Sequence, residues 1–187
     1  MLIGRSGTAR KNPQHAKTLM SSVDVSQIHF SQVPVDILIP LRHRMLRQGM
    51  PVESAHFPGD DLPATIHFAA TVLGHAEHQS AAEVVAVSCL TLMESEWEGQ
   101  AAWQLRGMAT ANEYQGLGVG RQLFEFAMGE AKRKHPDWRM WCNARVAAIG
   151  FYERVGWEVV SEEFDIPYAG PHKKMVVRLP AETSSRN

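Results

Sequence analysis

Three glycines within residues 115–120 (QGLGVG) carry the clearest chemical signal in the sequence. Glycine accepts positive φ angles, so several backbone N–H groups of such a turn can point in one direction. An amphipathic helix is predicted directly afterwards, over about 118–134, and the positive end of its dipole adds to those N–H groups. The sequence therefore predicts an anion site for a phosphate-bearing ligand.

The spacing of the glycines restricts the type of phosphate ligand. A Walker loop needs Lys and then Ser or Thr after the last glycine, but Arg121 and Gln122 follow Gly120. The dinucleotide fingerprint fits Gly116 and Gly118 and then requires glycine where Arg121 stands. A Walker loop is excluded, whereas a dinucleotide enzyme stays a distant alternative. A glycine-rich helix start without a ligand also stays open.

The same segment resembles the Q/R-x-x-G-x-G/A signature of the GCN5-related N-acetyltransferases (GNAT), through Gln115, Gly118 and Gly120. The resemblance implies that backbone N–H groups of the loop bind the pyrophosphate of acetyl-CoA, the expected co-substrate. It assigns the whole loop and the first residues of the helix to cofactor binding: Gln115, Gly116, Leu117, Gly118, Val119, Gly120 and Arg121.

The strand end before the loop, Met108-Ala109-Thr110, extends the resemblance. In the family, this strand end pairs with the pantetheine arm as if the cofactor were an extra strand. Met108 is assigned to the N–H group that stabilises the oxyanion of the attacked thioester, and Thr110 to pantetheine pairing. Ala109, which lies between them, is included in the same cofactor-binding segment.

Residues 147–157 resemble the family segment N-x-x-A-x-x-[FL]-Y-x-x-x-G-F. The match makes Tyr152 the candidate proton donor to the departing thiolate and places Phe151 at the cofactor. Alternatively, Tyr152 only packs in the core. Arg145 occupies the usual asparagine position, so either Asn143 or Arg145 is expected to replace that asparagine's cofactor contact.

The general base is not fixed by the sequence. His172 precedes the last predicted strand, beside the expected acceptor cleft, and histidine suits proton transfer near neutral pH. A capping role for His172, a base role for Glu113 and a water chain all remain open. Cys142 has no activating base nearby in sequence and is interpreted as a core residue.

No metal is expected, because His75 and His78 lie on a polar hairpin connector without a recognised ligand partner. Four further residues lie on elements that we expect to border the acceptor cleft: Trp103, His56, Asp60 and Asp61. The two aspartates could attract a cationic amine, although a solvated polar loop explains them equally well.

The hydrophobic periodicity predicts an α/β (α+β) fold, a mixed and mostly antiparallel sheet flanked by helices. Predicted strands cover 28–33, 65–73, 83–93, 100–110, 139–143, 157–164 and 173–179; predicted helices cover 34–48 with an interruption at Pro40, 118–134 and 146–154. The resemblance adds a splayed central strand pair. One acetyltransferase domain is expected over 26–180, between flexible tails at 1–25 and 181–187.

Composition limits the remaining possibilities. The chain has 187 residues, a formal net charge of −1 and two cysteines, which favours a cytoplasmic protein that binds neither nucleic acid nor membrane. The basic first 23 residues fit a disordered tail, a late start at Met20 or, less well, a transit peptide. The leading hypothesis is direct acetyl transfer from acetyl-CoA to a primary amine by a monomer or homodimer. The alternative is a non-catalytic acyl-CoA-binding regulatory module.

Overall fold

The computed structural model describes residues 24–74 and 83–177. The predicted tail 181–187, most of the predicted tail 1–25 and the connector that holds His75 and His78 lie outside the described residues. Asp24 and Val25, at the end of the first predicted tail, are described. The side chain of Asp24 accepts the N–H of Ser26 and so caps the 3₁₀ turn Val25–Gln27.

Eight strands and three α-helices form the described fold, which confirms the predicted fold class. The strands are β1 (His29–Gln32), β2 (Ile66–Gly74), β3 (Glu83–Trp97), β4 (Gln100–Thr110), β5 (Arg139–Arg145), β6 (Trp157–Val159), β7 (Phe164–Ile166) and β8 (Gly170–Val177). The helices are α1 (Ile39–Leu46), α2 (Val119–Lys134) and α3 (Ile149–Arg154). The sheet order is β1-β2-β3-β4-β5-β8-β6, with β7 also paired to β8.

Alternation along the central strands places α1 and α2 on opposite faces of the sheet. Phe68 and Leu90 pack in the cluster that contains α2, whereas their neighbours Ala69 and Cys89 pack with α1. The buried stripe of α2 is the predicted one: Val119, Leu123, Phe124, Ala127 and Ala131. The two helices therefore pack on opposite faces of the same central strands, β2 and β3.

β4 and β5 form the only parallel strand pair of the described sheet, and their pairing is short. The register runs from Ala102 opposite Arg139 to Leu105 opposite Cys142. Beyond these residues the two strands separate, and Arg106–Thr110 have no strand partner on the β5 side within the described residues. The splayed pair that the resemblance implied is present.

Two predicted elements differ from the observed ones. The first predicted helix, 34–48, is a 3₁₀ turn, Val35–Ile37, followed by α1, so the regular helix begins next to Pro40, where the sequence predicted an interruption. Pro40 is tolerated there because early helical N–H groups have no intrahelical partner.

The predicted strand 157–164 is divided into β6 and β7, which pair with the two ends of β8. Between them the hydroxyl of Ser161 accepts the N–H of Lys174 at 2.8 Å. A side-chain oxygen thus replaces a strand carbonyl at this point, and the backbone leaves the regular ladder.

Candidate active site

A β-bulge interrupts β4 where it leaves β5. Cys89 lies opposite Ala109 and Thr91 opposite Arg106, so β4 contains one more residue than β3 in this interval. Gly107 has a φ of +60°, a conformation that glycine adopts without strain. A bulge removes a residue from the regular ladder and redirects its backbone groups. Met108 follows Gly107, so its backbone lies at this irregularity, where an oxyanion donor was predicted.

A cavity of about 640 Å³ lies between the end of β4, the glycine loop and α3. It is lined by most of the residues assigned to cofactor binding: Met108, Ala109, Thr110, Gln115, Gly116, Gly118, Gly120, Arg121 and Phe151. Arg121, Arg145 and Arg154 also line it, and their positive charge suits phosphate groups. These lining residues fit a CoA thioester, which would be the acyl donor. We therefore call this space the donor cavity.

Backbone conformation or close packing explains why each of the three loop positions is glycine. Gly116 and Gly118 have φ angles of +76° and +80°, which side chains disfavour. Gly118 is the N-cap of α2, so the first free N–H groups of the helix follow it directly. At Gly120, an added Cβ would lie 2.8 Å from the Thr110 hydroxyl, so glycine is needed for the close approach of α2 to β4.

The side chains of the loop mainly contact neighbouring protein groups. The Gln115 amide donates to the carbonyl of Thr110 at 2.9 Å, which ties the loop to the end of β4. Arg121 lies at the cavity and pairs with Glu125 at 2.8 Å. The Val119 side chain is buried in the core and that of Leu117 is exposed, and neither lines the donor cavity. These two residues can offer only backbone N–H groups to a ligand there.

Tyr152 lies where the donor cavity meets a second cavity. Its ring is buried, and its hydroxyl donates to the Met108 sulfur at 3.9 Å. Burial raises the Tyr152 pKa well above its ordinary range, and the neighbouring Cys142 thiol adds to this effect. The phenol therefore stays protonated near neutral pH and can donate a hydrogen bond or a proton to a developing thiolate.

Cys142 is a buried free thiol on β5. Burial raises its pKa to about 12, with the Tyr152 hydroxyl acting in the opposite direction. A thiol with such a pKa is almost entirely protonated at neutral pH and is a poor nucleophile. This burial agrees with the interpretation of Cys142 as a core residue.

A second cavity, of about 330 Å³, adjoins the donor cavity at Met108 and extends to residues of β5 and β8, and we call it the acceptor cavity. It shares four lining residues with the donor cavity: Met108, Arg145, Ala148 and Tyr152. His172 lines the acceptor cavity, and its Nδ1 lies 2.7 Å from the Gly170 carbonyl. Because a carbonyl only accepts, Nδ1 carries the proton and Nε2 is the nitrogen able to accept one.

Asn143 and Arg145 are placed differently with respect to the two cavities. Asn143 lines the acceptor cavity and not the donor cavity, so its location differs from the one expected for a cofactor contact. Its side-chain oxygen is buried without a hydrogen-bond partner among the described residues. Arg145 lines both cavities and donates to the Leu46 carbonyl at 3.3 Å. Of the two residues, only Arg145 lines the donor cavity.

The four residues on the elements expected to border the acceptor cleft do not themselves line the acceptor cavity. Trp103 is a buried core residue that packs against Trp138. Asp60 is fully buried in an ion pair with Arg42, at 2.6 Å. Asp61 is exposed beside His56. The elements themselves do border it, because Phe57 of the 50–61 loop and Gln104, next to Trp103, are among its lining residues. The sequence could not reveal that Arg42 neutralises Asp60 from 18 positions away.

Glu113, the other candidate base, is exposed and pairs with Arg44 at 3.1 Å. Within residues 24–74 and 83–177, no three His, Cys, Asp or Glu side chains come together as metal ligands. In the same ranges no helix is long and apolar enough to span a membrane.

Several lining residues were not identified from the sequence. In the acceptor cavity these include Leu46, Arg47, Phe57 and Arg106, and in the donor cavity Tyr114 and Arg154. The segment LRHRMLR around α1, with three arginines within seven residues, contains two of these lining residues, Leu46 and Arg47.

Comparisons with known proteins agree with this geometry. A family model described as "Acetyltransferase (GNAT) domain" matches residues 74–159. A curated relative from Bacillus subtilis (strain 168), "Uncharacterized N-acetyltransferase YitI", is 30% identical over 147 residues, which is 79% of this chain and 93% of the relative.

Solved structures share the fold. Escherichia coli ElaA is 17% identical with a TM-score of 0.62, over 81% of this chain and 100% of that one. An acyl-CoA N-acyltransferase from Pseudomonas aeruginosa is 20% identical with a TM-score of 0.61, over 81% of this chain and 99% of that one.

Proposed function

The chain belongs to the GNAT acetyltransferase family, and we propose that it transfers an acetyl group from acetyl-CoA to a primary amine in a ternary complex. The observation that carries the proposal is the meeting of the donor and acceptor cavities at Met108 and Tyr152. A thioester held on one side of this contact faces an amine held on the other side. Such positioning supplies much of the rate of an already activated acyl donor.

The loop that precedes α2 binds the phosphate groups of the cofactor. The backbone N–H groups after Gly118, the positive end of the α2 dipole and Arg121 favour the pyrophosphate of CoA. The free β5-facing edge of 108–110 pairs with the pantetheine arm. The thioester carbonyl is then directed to the bulge at Met108.

The chemical steps use groups around that contact. The neutral amine attacks the thioester carbon, and the Met108 N–H stabilises the oxyanion that forms. Collapse of this species breaks the C–S bond, and Tyr152 protonates the departing thiolate. Nε2 of His172 accepts the proton that the amine nitrogen loses. The acetylated amine and CoA then leave from their separate cavities.

The cavities and the cysteines also bear on the oligomeric state and the cellular compartment. Both cavities are formed by one chain, which supports a monomer or a homodimer of independent sites. The described cysteines, Cys89 and Cys142, are free thiols, which supports a reducing cytoplasmic setting.

The decisive experiment measures acetyl-CoA turnover with a panel of amines, followed by thiol release and by the mass of the acetylated product. We expect acetylation of at least one class of amine, and calorimetry should show CoA binding without any acceptor. CoA binding with no acetylation of any amine would contradict the proposal and favour a non-catalytic acyl-CoA-binding module.

Gly118→Glu is the matched variant for the donor site. It forces a side chain into a φ of +80° and adds a negative charge at the start of α2, so CoA binding should be lost. Unchanged CoA affinity in this variant would contradict the assignment of the loop.

A further inference from the structure

The charge of the acceptor cavity bears on the class of amine that it takes. Three arginines from separate elements line the cavity: Arg47 directly after α1, Arg106 on β4 and Arg145 at the end of β5. All three are half-buried. No Asp or Glu is among the described lining residues. The lining of the cavity is therefore strongly positive.

None of the three arginines forms an ion pair with a described carboxylate. Their guanidinium groups donate to neutral carbonyls: Arg47 to Leu46 at 3.0 Å, Arg106 to Pro58 at 2.6 Å and Arg145 to Leu46 at 3.3 Å. Burial lowers the pKa of Arg106, and Asp60 partly opposes this effect, but the Asp60 carboxylate is itself bound by Arg42. No described carboxylate therefore neutralises Arg47, Arg106 or Arg145 by an ion pair.

Phe57 holds part of this cluster in place. The guanidinium carbons of Arg42, Arg47 and Arg106 lie 4.6, 4.8 and 5.6 Å from the centre of its ring. These are cation–π distances, and they fix Arg47 and Arg106 before a ligand arrives. Burial and then the charges of Arg145 and Arg42 lower the Arg47 pKa, because the cations repel one another.

The cluster is directed at the acceptor rather than at CoA. Arg47 and Arg106 line the acceptor cavity and do not line the donor cavity, whose phosphate loop lies beyond Met108. Only Arg145 reaches both cavities. A cavity of about 330 Å³ is near the lower limit of ligand pockets, which suits one small molecule.

We propose that the acceptor is a small amine that carries its own oxyanion, a carboxylate or a phosphate, and that Arg47 and Arg106 bind this group. The proposal rests on the acetyl transfer proposed above and names its substrate class. Guanidinium groups pair with both oxyanions, often in a bidentate manner. The same positive field lowers the pKa of the acceptor ammonium and so favours the neutral amine that attacks. Polyamines and aminoglycosides, which are cationic, are disfavoured.

The test compares matched acceptors that differ only in the anionic group. α-Amino acids are compared with their carboxamides, and phosphoethanolamine is compared with ethanolamine, with spermidine as the cationic member. We expect kcat/KM to be at least 10-fold higher for one of the anionic members than for its neutral partner. The pair that shows the difference identifies the oxyanion as carboxylate or phosphate. Equal or higher kcat/KM for the neutral members or for spermidine would overturn the proposal.

Variants of Arg47 and Arg106 test whether these arginines cause the preference for anionic acceptors. Arg106→Gln and Arg47→Gln should raise the KM of the anionic acceptor at least 10-fold and leave that of its neutral analogue within about 2-fold. Arg44→Gln is the matched control, because Arg44 lies on α1 outside the cavity and pairs with exposed Glu113. An increase in the KM of acetyl-CoA instead of the acceptor KM would overturn the proposal by assigning the cluster to the donor.

The experiments distinguish failure of the proposed acetyl transfer from failure of the proposed oxyanion site. If no amine of any charge is acetylated, acetyl transfer is contradicted, and the anion site is then judged by calorimetry with CoA-saturated protein. Binding of an anionic amine that Arg106→Gln weakens, without binding of the carboxamide or ethanolamine, would support the oxyanion site. Absence of binding by either anionic class would overturn it.

Discussion

At the scale of single residues, Tyr152 connects packing to chemistry. Its ring contacts Phe151 and Trp157, and its hydroxyl lies between the Met108 sulfur and Cys142. The burial that raises its pKa also keeps the proton on the phenol throughout the neutral range. One side chain can therefore close the core and present a proton donor at the junction of the two cavities.

Tyr152→Phe should separate these two roles. The variant keeps the aromatic ring and removes only the hydroxyl, so we expect kcat to fall by roughly 10²-fold, the lower end of general acid effects. CoA affinity from calorimetry should stay within about 2-fold, because the phosphate loop is untouched. Unchanged kcat would show that Tyr152 only packs in the core.

At the scale of elements, the donor cavity depends on how closely α2 approaches β4. Gly120, in the first turn of α2, faces the Thr110 hydroxyl, which in turn lies 2.8 Å from the Ser88 hydroxyl. The same helix contains Gly129, which is exposed and has no atom within 4 Å of an added Cβ. The two glycines thus give a matched pair within one helix.

Gly120→Ala should weaken CoA binding, whereas Gly129→Ala should not. At Gly120 the methyl group would displace Thr110 and the strand end that lines the donor cavity, so we expect at least a 10-fold loss of CoA affinity. At Gly129, alanine should raise the free energy of unfolding by up to about 1 kcal/mol through helix propensity. Calorimetry and urea unfolding measure the two effects. Equal CoA affinities in the two variants would contradict the close-contact explanation.

At the scale of the whole molecule, a buried polar network joins distant segments of the chain. Arg42 of α1 bonds to Asp60 and to Thr91 of β3, and Thr91 also contacts Nδ1 of His67 on β2 at 2.8 Å. Nε2 of His67 lies 3.0 Å from the Asp60 carbonyl, so Nε2 donates and Nδ1 accepts. This network fixes the segment that carries Phe57, and hence the acceptor cavity.

Removal of either member of the Arg42–Asp60 pair should destabilise the fold strongly. Arg42→Met or Asp60→Asn leaves a buried group without its partner, for an expected loss of about 3–5 kcal/mol in the free energy of unfolding. The double variant Arg42→Met/Asp60→Leu should lose less than the sum of the single changes, as measured by urea unfolding. The exposed pair Arg44–Glu113 is the control, with an expected loss of about 0–1 kcal/mol. Additive losses at the buried pair would contradict direct coupling.

The buried thiols should make the fold sensitive to alkaline pH. Burial raises the pKa of Cys89 to about 11 and that of Cys142 to about 12, from an ordinary value of 9.0. Above pH 9 the unfolded chain loses these protons while the folded chain keeps them, so rising pH favours unfolding. Each thiol should contribute a loss of roughly 1.4 kcal/mol per pH unit up to about pH 11.

Urea unfolding at pH 8, 9 and 10 measures this slope. The Cys89→Ala/Cys142→Ala variant is less stable in absolute terms because of lost packing, so the slopes and not the values are compared. We expect a clearly shallower alkaline slope in the variant. Identical slopes in the two proteins would assign the alkaline sensitivity to other groups.

Local chemistry in the sequence determined the fold class, the glycine loop, the stripe of α2 and the family. These depend on periodicity, on glycine φ preferences and on helix termini, all of which act within a few residues. Gly116 and Gly118 show this directly, because their positive φ angles follow from residue type at a turn.

Only the tertiary structure decided the character of the acceptor cavity. Arg47, Arg106 and Phe57 come from segments far apart in sequence, and the charge of Asp60 is cancelled by Arg42 across 18 positions. Side-chain burial and ion pairing between distant segments leave no periodic trace in the sequence. Electrostatics within the cavity therefore emerge only when the sheet brings these elements together.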